Sequence, residues 1–470
     1  MNMFHAHTLS AMYSNLFILV LVLAAPSTVR SGLGMDVSMA PRTWGFSAKL
    51  VSNDSTDGST FGSQIAMSAD GATIVVGAPH DQAVYIYKRP ADGWKTTPVF
   101  TAKLTGPSFE NEFFGTAVAI SADATTIVVG SMYYGFMGAS DTAYGAAYLY
   151  SRASSSWVST SAFNARLTAS SSNSAGMYGD AVAISADGTT VAVGAPRLPR
   201  SSSTGTVFVY VQPTTGWASA METAQLMAAN GSFGDNLGLS VAVSSDGSVI
   251  AAGADRFNSS SGAGGFVNVY ERPERVWITA TETARLTAAD AADRNLLGTS
   301  IAISADGSAI IAGAPQGAVG AGGGYLFDRS SSRWSNTQSS IKLTNAERPL
   351  AYVGNFGSAV GMSADGRTIV IGAPSEDANG DRRGAIYFFV RPTTGVSATQ
   401  AARLTASDAG DVDEFGSAVA MSADGTTVVA SAPFARSSNI RTGAVYVHTA
   451  ITYNNAVHLP FIDAVVLATR

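Results

Sequence analysis

The segment FGSQIAMSADGATIVVGAP, which begins at Phe61, returns six more times along the chain, opening at Phe114, Tyr178, Leu237, Leu297, Phe356 and Phe415. The aspartates of its central turn, from Asp70 to Asp424, recur on average every 59 residues. A self-similar period of this kind belongs to solenoids and propellers, because one unit cannot bury its own apolar face and must stack on its neighbours. Seven copies are enough to close a ring.

Within each copy the residue types follow from the geometry of a blade. Four residues after the opening residue stands a β-branched one (Ile65, Val118, Val182, Val241, Ile301, Val360, Val419), followed by Ala or Gly. Apolar residues on both faces mark a strand buried on both sides, and the small residue suits backbones crowded at the centre of a ring. A Ser-x-Asp-Gly turn follows, with Ala124 replacing the glycine in the second copy. Asp bonds back to nearby amides and Gly accepts positive φ, which predicts a tight hairpin into a second strand. The Gly-Ala-Pro that ends this strand stops the ladder, since Pro has no donor; copies two and four have Met132 and Asp255 in its place. A third strand reads AVYIYKR at Ala83 and similarly in the other copies. The six tryptophans (Trp44, Trp94, Trp157, Trp217, Trp277, Trp334) each precede a short fourth strand, carrying Lys49, Lys103, Arg166, Gln225, Arg285 and Lys342 in turn, and a seventh such strand, without a tryptophan, carries Arg403. A basic residue at that position suits a sheet edge guarded against foreign strands.

The expected fold is therefore all-β: a seven-bladed β-propeller of four-stranded antiparallel blades spanning 44–449. Because the chain enters on an outer-type strand after Trp44 and its last copy ends on a third strand, the N-terminal strand should close the ring. The run Ala464–Leu467 in the tail, 450–470, is the competitor for that edge.

Composition narrows the class of function. With 46% hydrophobic and 13% charged residues and 48 glycines, the chain is compact and turn-rich. Its formal net charge of −6 supplies no field for a nucleic-acid backbone. The absence of cysteine removes disulfides, thiolate metal sites and thiol nucleophiles. Leu16 to Ala25 (LFILVLVLAA) has the length of a signal-peptide h-region, so residues 1–31 read as a signal peptide and the product as secreted or extracellular at the cell surface; an uncleaved signal anchor is the alternative. No membrane span is expected in the mature chain. On that topology Asn53, Asn230 and Asn258 are glycosylation candidates.

With Phe-Gly opening and Gly-Ala-Pro closing the unit, complete in Phe61-Gly62 with Gly77-Ala78-Pro79 and in Phe356-Gly357 with Gly372-Ala373-Pro374, the chain resembles the FG-GAP repeat family, the propeller of integrin α-subunit heads. The resemblance implies an extracellular propeller; the family spans adhesion proteins and accessory domains of enzymes. Integrin-like copies carry several acidic side chains in the hairpin and bind calcium there. Here each hairpin has one aspartate, and one carboxylate does not supply the six to eight oxygens calcium takes.

Function in such a scaffold belongs to its loops. Tyr133, Tyr134 and Phe136 form an aromatic loop in the second copy, suited either to contacting protein or sugar or to plugging the channel. Arg197, Arg200, Arg256, Arg382 and Arg383 fall on the same expected face and suit anionic groups, with ordinary solvated loop charges as the alternative. Asp408, Asp411 and Asp413, with Glu414, are the calcium candidates, the alternative being a turn-capping acidic loop; no other cofactor is implied. His80 beside Asp81 has no nucleophile motif or metal-binding His pair with it. These readings favour a non-catalytic binding or adhesion scaffold whose partner is an extracellular protein or glycan, not nucleic acid. A carbohydrate-active enzyme using loop carboxylates and a structural surface or matrix component are the alternatives.

Overall fold

A computed structural model describes residues 43–451, apart from 108–111, 134–144, 153, 171–176, 197–203, 257–263, 291–294, 317–321, 340, 346–353, 377–380, 392–397 and 438–439. The signal-peptide segment and the run Ala464–Leu467 lie outside these residues.

The repeat folds as the alternation of its residues requires. In blade 1 the inner strand Ile65–Met67 pairs antiparallel with Thr73–Ala78, that strand with Ala83–Lys88, and that one with Ala102–Thr105. Six further sheets repeat the order, so the chain is a seven-bladed propeller. In the seventh, Val419–Met421, Thr427–Ala432 and Ala444–Ile451 come from the end of the chain, and the outer strand is Thr43–Leu50 from its beginning. Lys49 lies opposite Tyr446 and Thr43 opposite Ile451, which closes the ring as its phase predicts. The third strand of this blade runs through Ala450 and Ile451, the first residues of the expected tail.

Both faces of every sheet are covered, so apolar residues follow one another without alternation along the second and third strands. Ile74 and Val76 meet Val429 and Val445 of blade 7, whereas Val75 between them meets Ile127 and Val129 of blade 2. Each gap between neighbouring blades holds its own apolar cluster among the described residues, seven wedges in place of one core.

The two halves of the repeat motif meet across these gaps. A methyl group on Gly77, the glycine of the first Gly-Ala-Pro, would lie 2.2 Å from the carbonyl oxygen of Gly115, the Phe-Gly glycine of the next blade. The same clash recurs at Gly130 against Gly179, Gly194 against Gly238, Gly253 against Gly298, Gly313 against Gly357 and Gly372 against Gly416, between 1.9 and 2.1 Å. The Phe-Gly glycines themselves sit at φ of +90 to +100°, which L side chains avoid. Both glycines are thus demanded by one backbone contact between blades.

The hairpin turns form a second, closed contact. The Ala69 amide donates to the Ala122 carbonyl, Ala122 to Ala186, Ala186 to Ser245, Ser245 to Ala305, Ala305 to Ala364, Ala364 to Ala423, and Ala423 back to Ala69, at 2.8 to 3.1 Å. Within each turn the aspartate is used locally: Ser68 Oγ donates to Asp70 at 2.6 Å and the Ala72 amide at 2.9 Å. Burial opposes ionisation of Asp70, and these hydrogen bonds outweigh it and hold its carboxyl below the usual carboxylate range.

The tryptophans pin the far loop to this turn. Trp94, Trp157, Trp217, Trp277 and Trp334 each donate Nε1–H to the carbonyl of the fourth turn residue (Gly71, Ala124, Gly188, Gly247, Gly307) at 2.9 to 3.1 Å. Trp44, at the open end of the chain, instead stacks on Phe388 of blade 6 at 4.2 Å between centroids.

The outer strands differ from the expected guarded edges. Residues following Trp94, Trp157, Trp217, Trp277 and Trp334 lie against the outer strand of the preceding blade in parallel, as in Ala220 with Leu167, Ala280 with Leu226 and Thr337 with Leu286. These edges are capped by the next blade, so the basic residue they carry has another use.

Candidate binding face

Loops that follow second strands and loops that follow outer strands share one face of the ring, opposite the hairpin turns. Their backbones bond to each other there: Arg256 N donates to Asp235 O at 3.2 Å, and Val412 N to Asp381 O at 2.7 Å.

Five basic residues of the outer strands, Lys49, Lys103, Arg285, Lys342 and Arg403, lie over third-strand rings. Lys103 Nζ is 5.0 Å from the Tyr85 centroid and bonds Asp54 at 2.8 Å. Lys342 sits over Tyr325 and bonds Asp290 at 2.6 Å. Lys49 sits over Tyr446 and bonds Asp408 at 2.6 Å, while Tyr446 Oη donates to the same carboxylate at 2.7 Å. Burial disfavours the charge on Asp408, and its bonds from Lys49 and Tyr446 more than compensate, holding the carboxyl below its ordinary range. The triad acid stands four residues beyond the outer-strand leucine in all three cases: Leu50 and Asp54, Leu286 and Asp290, Leu404 and Asp408. That spacing is the signal that assigns Asp408 to a repeated clamp.

Blade 6 builds its clamp from a different loop and buries it. Glu376, 3% exposed, accepts from Arg403 Nε and Nη2 at 2.9 and 2.8 Å and takes a short hydrogen bond from Tyr387 Oη. Asn345 Nδ2 donates to Tyr387 Oη at 2.6 Å. Burial, reinforced by the Glu376 carboxylate, pushes the Tyr387 phenol up.

The predicted arginines that the structure describes are matched with acids. Arg256 bonds the fully buried Asp235 at 3.0 Å and lies over Phe266, and Asn236 beside Asp235 donates to Asp255 at 2.8 Å. Arg382 pairs with Glu414; Arg383 pairs with Asp411 at 2.9 Å and Asp381 at 3.1 Å. Arg382 and Arg383 keep half of their side-chain surface exposed, as Asp411 keeps 65%. Tyr133 ends a strand of blade 2, while Tyr134, Phe136, Arg197, Arg200 and Asn258 lie outside the described residues. Asn53 and Asn230 are exposed on this face.

The acidic loop is dispersed by these partners. Asp408 turns to blade 7, Asp411 and Glu414 to the two arginines, and the buried Asp413 accepts the Gly410 amide of its own loop at 2.7 Å. Among the described residues no three acidic or histidine side chains are gathered for a metal ion. Asp408→Asn is expected to cost at most about 1 kcal/mol, since the pair is partly exposed. Adding calcium or a chelator is expected to leave the thermal midpoint of the native chain unchanged in a melting experiment.

The most strained part of the face is where two loops cross. Val412 has φ +67°, unusual for a β-branched residue, and Arg382 and Glu414 are also left-handed at +49 and +56°. Glu414 shares this with Thr60, Met177, Asn236, Leu296 and Asn355 at the same place in other copies, and Val412 stands where copies one and four have Gly58 and Gly234 at φ +81 and +82°; among the described residues the crossing differs in putting a β-branched side chain at that place and in the left-handed Arg382. Three backbone bonds fasten it: Val412 to Asp381, Glu414 to Arg382 and Phe415 to Arg383.

The FG-GAP repeat family model matches residues 44–87, 354–389 and 398–448. These three stretches are similar to FG-GAP repeats. The propeller is also similar in fold to a chain titled Kuenenia stuttgartiensis hydrazine synthase, with a TM-score of 0.50 and 16% identity over 81% of this chain and 94% of that one. No curated protein matches the chain. Among the described residues no helix is long and apolar enough to cross a membrane.

Proposed function

We propose that this propeller is a secreted or cell-surface recognition scaffold that binds a protein or glycan through the loop face, without catalysis. The observation that carries this reading is the crossing of residues 381–384 with 411–415. It combines strained backbone with half-exposed Arg382, Arg383 and Asp411, all held in fixed positions by cross-loop bonds. Strain kept in place by surrounding structure is a mark of functional sites. Preorganised arginine and carboxylate pairs present both signs of charge to a polar partner at little ordering cost. The LFILVLVLAA run supports the secretory route, and exposed Asn53 and Asn230 are the proposed glycan acceptors. The likeness to a hydrazine synthase chain is one of fold and transfers none of that enzyme's chemistry.

The test is recovery of a partner from the surface of the producing cell, or from a glycan array, with the native protein and an Arg382→Ala/Arg383→Ala/Asp411→Ala variant. Binding that the native chain shows and the variant loses by tenfold or more supports the reading. No binding by the native chain, or turnover of a polysaccharide abolished by the same variant, overturns it.

A further inference from the structure

His448 lies in the third strand of blade 7, with Phe46 of the N-terminal strand opposite it on one side and Val428 on the other. Its ring is 3% exposed, and neither Nδ1 nor Nε2 has a hydrogen-bond partner. The equivalent position in other blades is Tyr87, Tyr150, Tyr210, Tyr270, Phe327 or Phe389. The four tyrosines donate to carbonyls at the end of the preceding outer strand, Val51, Thr105, Thr168 and Met227, at 2.7 to 3.1 Å. Histidine therefore replaces a satisfied or fully apolar ring with an unsatisfied imidazole in the one blade that joins the two ends of the chain. The cover over it is thin: Phe46 meets the ring edge-on at 6.1 Å and is itself 47% exposed, and the strand bulges beside it between Phe46 and Ala48.

We infer that His448 makes the closing blade an acid-labile clasp: protonation releases the outer strand Thr43–Leu50 from Ala444–Ile451 while the other six blades stay assembled. The charged groups on the elements around it are already engaged. On the N-terminal strand Lys49 bonds Asp408; on its own strand Tyr446 bonds the same carboxylate; in the loop that brings Phe415 against the ring, Asp413 accepts the Gly410 amide and Glu414 pairs with Arg382. Its cross-strand neighbour Val428 is apolar. None of these stabilises an imidazolium, and burial alone takes His448 from 6.5 down to about 4. The unfolded chain therefore binds the proton first. The stability contributed by the neutral ring is complete above pH 6.5 and is lost as pH falls from there toward 4.

The experiment is hydrogen exchange of the whole chain at pH 7 and pH 4.5, corrected for intrinsic exchange rates, on the native protein, His448→Phe and His448→Tyr. Phe and Tyr both occur at this place in other blades, so at least one variant should fold. In the native chain the opening equilibrium of 43–50 and 444–451 is expected to rise about fifty-fold at the lower pH, and either variant to remove most of that rise. Protonation of turn aspartates such as Asp70 and Asp187 loosens blades all around the ring and is common to all three proteins. Native and variant chains opening equally, or acid opening spread evenly over all blades, overturns the clasp.

Discussion

Gly194→Ala is expected to lower the free energy of unfolding by about 3 kcal/mol or more, measured by denaturant titration, although it adds one methyl group to a small residue. The methyl would stand 1.9 Å from the Gly238 carbonyl oxygen, and backbone, unlike a side-chain tip, cannot turn away. Relief requires blades 3 and 4 to separate, which opens the cluster of Val207, Leu237 and Ile250 between them. The control is Gly216→Ala. There φ is +94° and nothing lies within 4 Å, so only conformational strain of about 1 to 2 kcal/mol is expected. Equal costs at the two sites would show that the contact between blades contributes nothing. Blade 7 shows how the junction adapts, with Ser431 at this place and its Oγ accepting the Ala418 amide at 3.0 Å.

Glu376→Ala is expected to cost about 3 to 5 kcal/mol by the same measurement. The substitution removes a carboxylate that is 3% exposed and leaves Arg403 and the Tyr387 hydroxyl without their shared acceptor. The comparison is Arg383→Ala, whose ion pairs are half exposed and whose loss should stay below about 1 kcal/mol. Addition of Tyr387→Phe to Glu376→Ala should cost less than Tyr387→Phe does alone, because the two groups act as one network. A Glu376→Ala protein as stable as Arg383→Ala would overturn the assignment of Glu376 as the centre of the blade 6 clamp.

The ring and its closure were legible because they depend on order along the chain. Period, strand types and the phase of the strand after Trp44 can all be read from residues near one another. What escaped is what depends on neighbours 21 or more residues away. Nothing near the Phe-Gly or Gly-Ala-Pro glycines in sequence says that they meet, and only the packed blades show Gly77 facing Gly115. The tryptophans announced the outer strand correctly, but their hydrogen bonds to the turn carbonyls cross the blade from another loop. Closeness in sequence groups Asp408 with Asp411 and Asp413. A comparison between copies would have placed it with Asp54 and Asp290, at the same distance from a leucine, and hence with Lys49 and Tyr446. The arginines were recognised as lying on one face, yet the acids that occupy Arg383 and Arg256 come from loops 28 and 21 residues away, whose approach no local pattern announces.

The amides linking the seven hairpin turns all donate in one direction around the axis, from Ala69 through Ala423 and back to Ala69. In a helix such a file of bonds has two ends, where unpaired donors and acceptors leave partial charges that must be capped or that attract ions. Here the file has no ends. Its bonds run head to tail around a loop, so the components of their dipoles in the plane of the ring cancel, and none of these seven amides is left free for an anion. An open stack of the same repeats would leave one donor and one acceptor bare at its extremities and would need terminal caps. Closing on itself spares this chain both, and leaves the turn side only the charges of its side chains, the seven exposed turn aspartates from Asp70 to Asp424 among them.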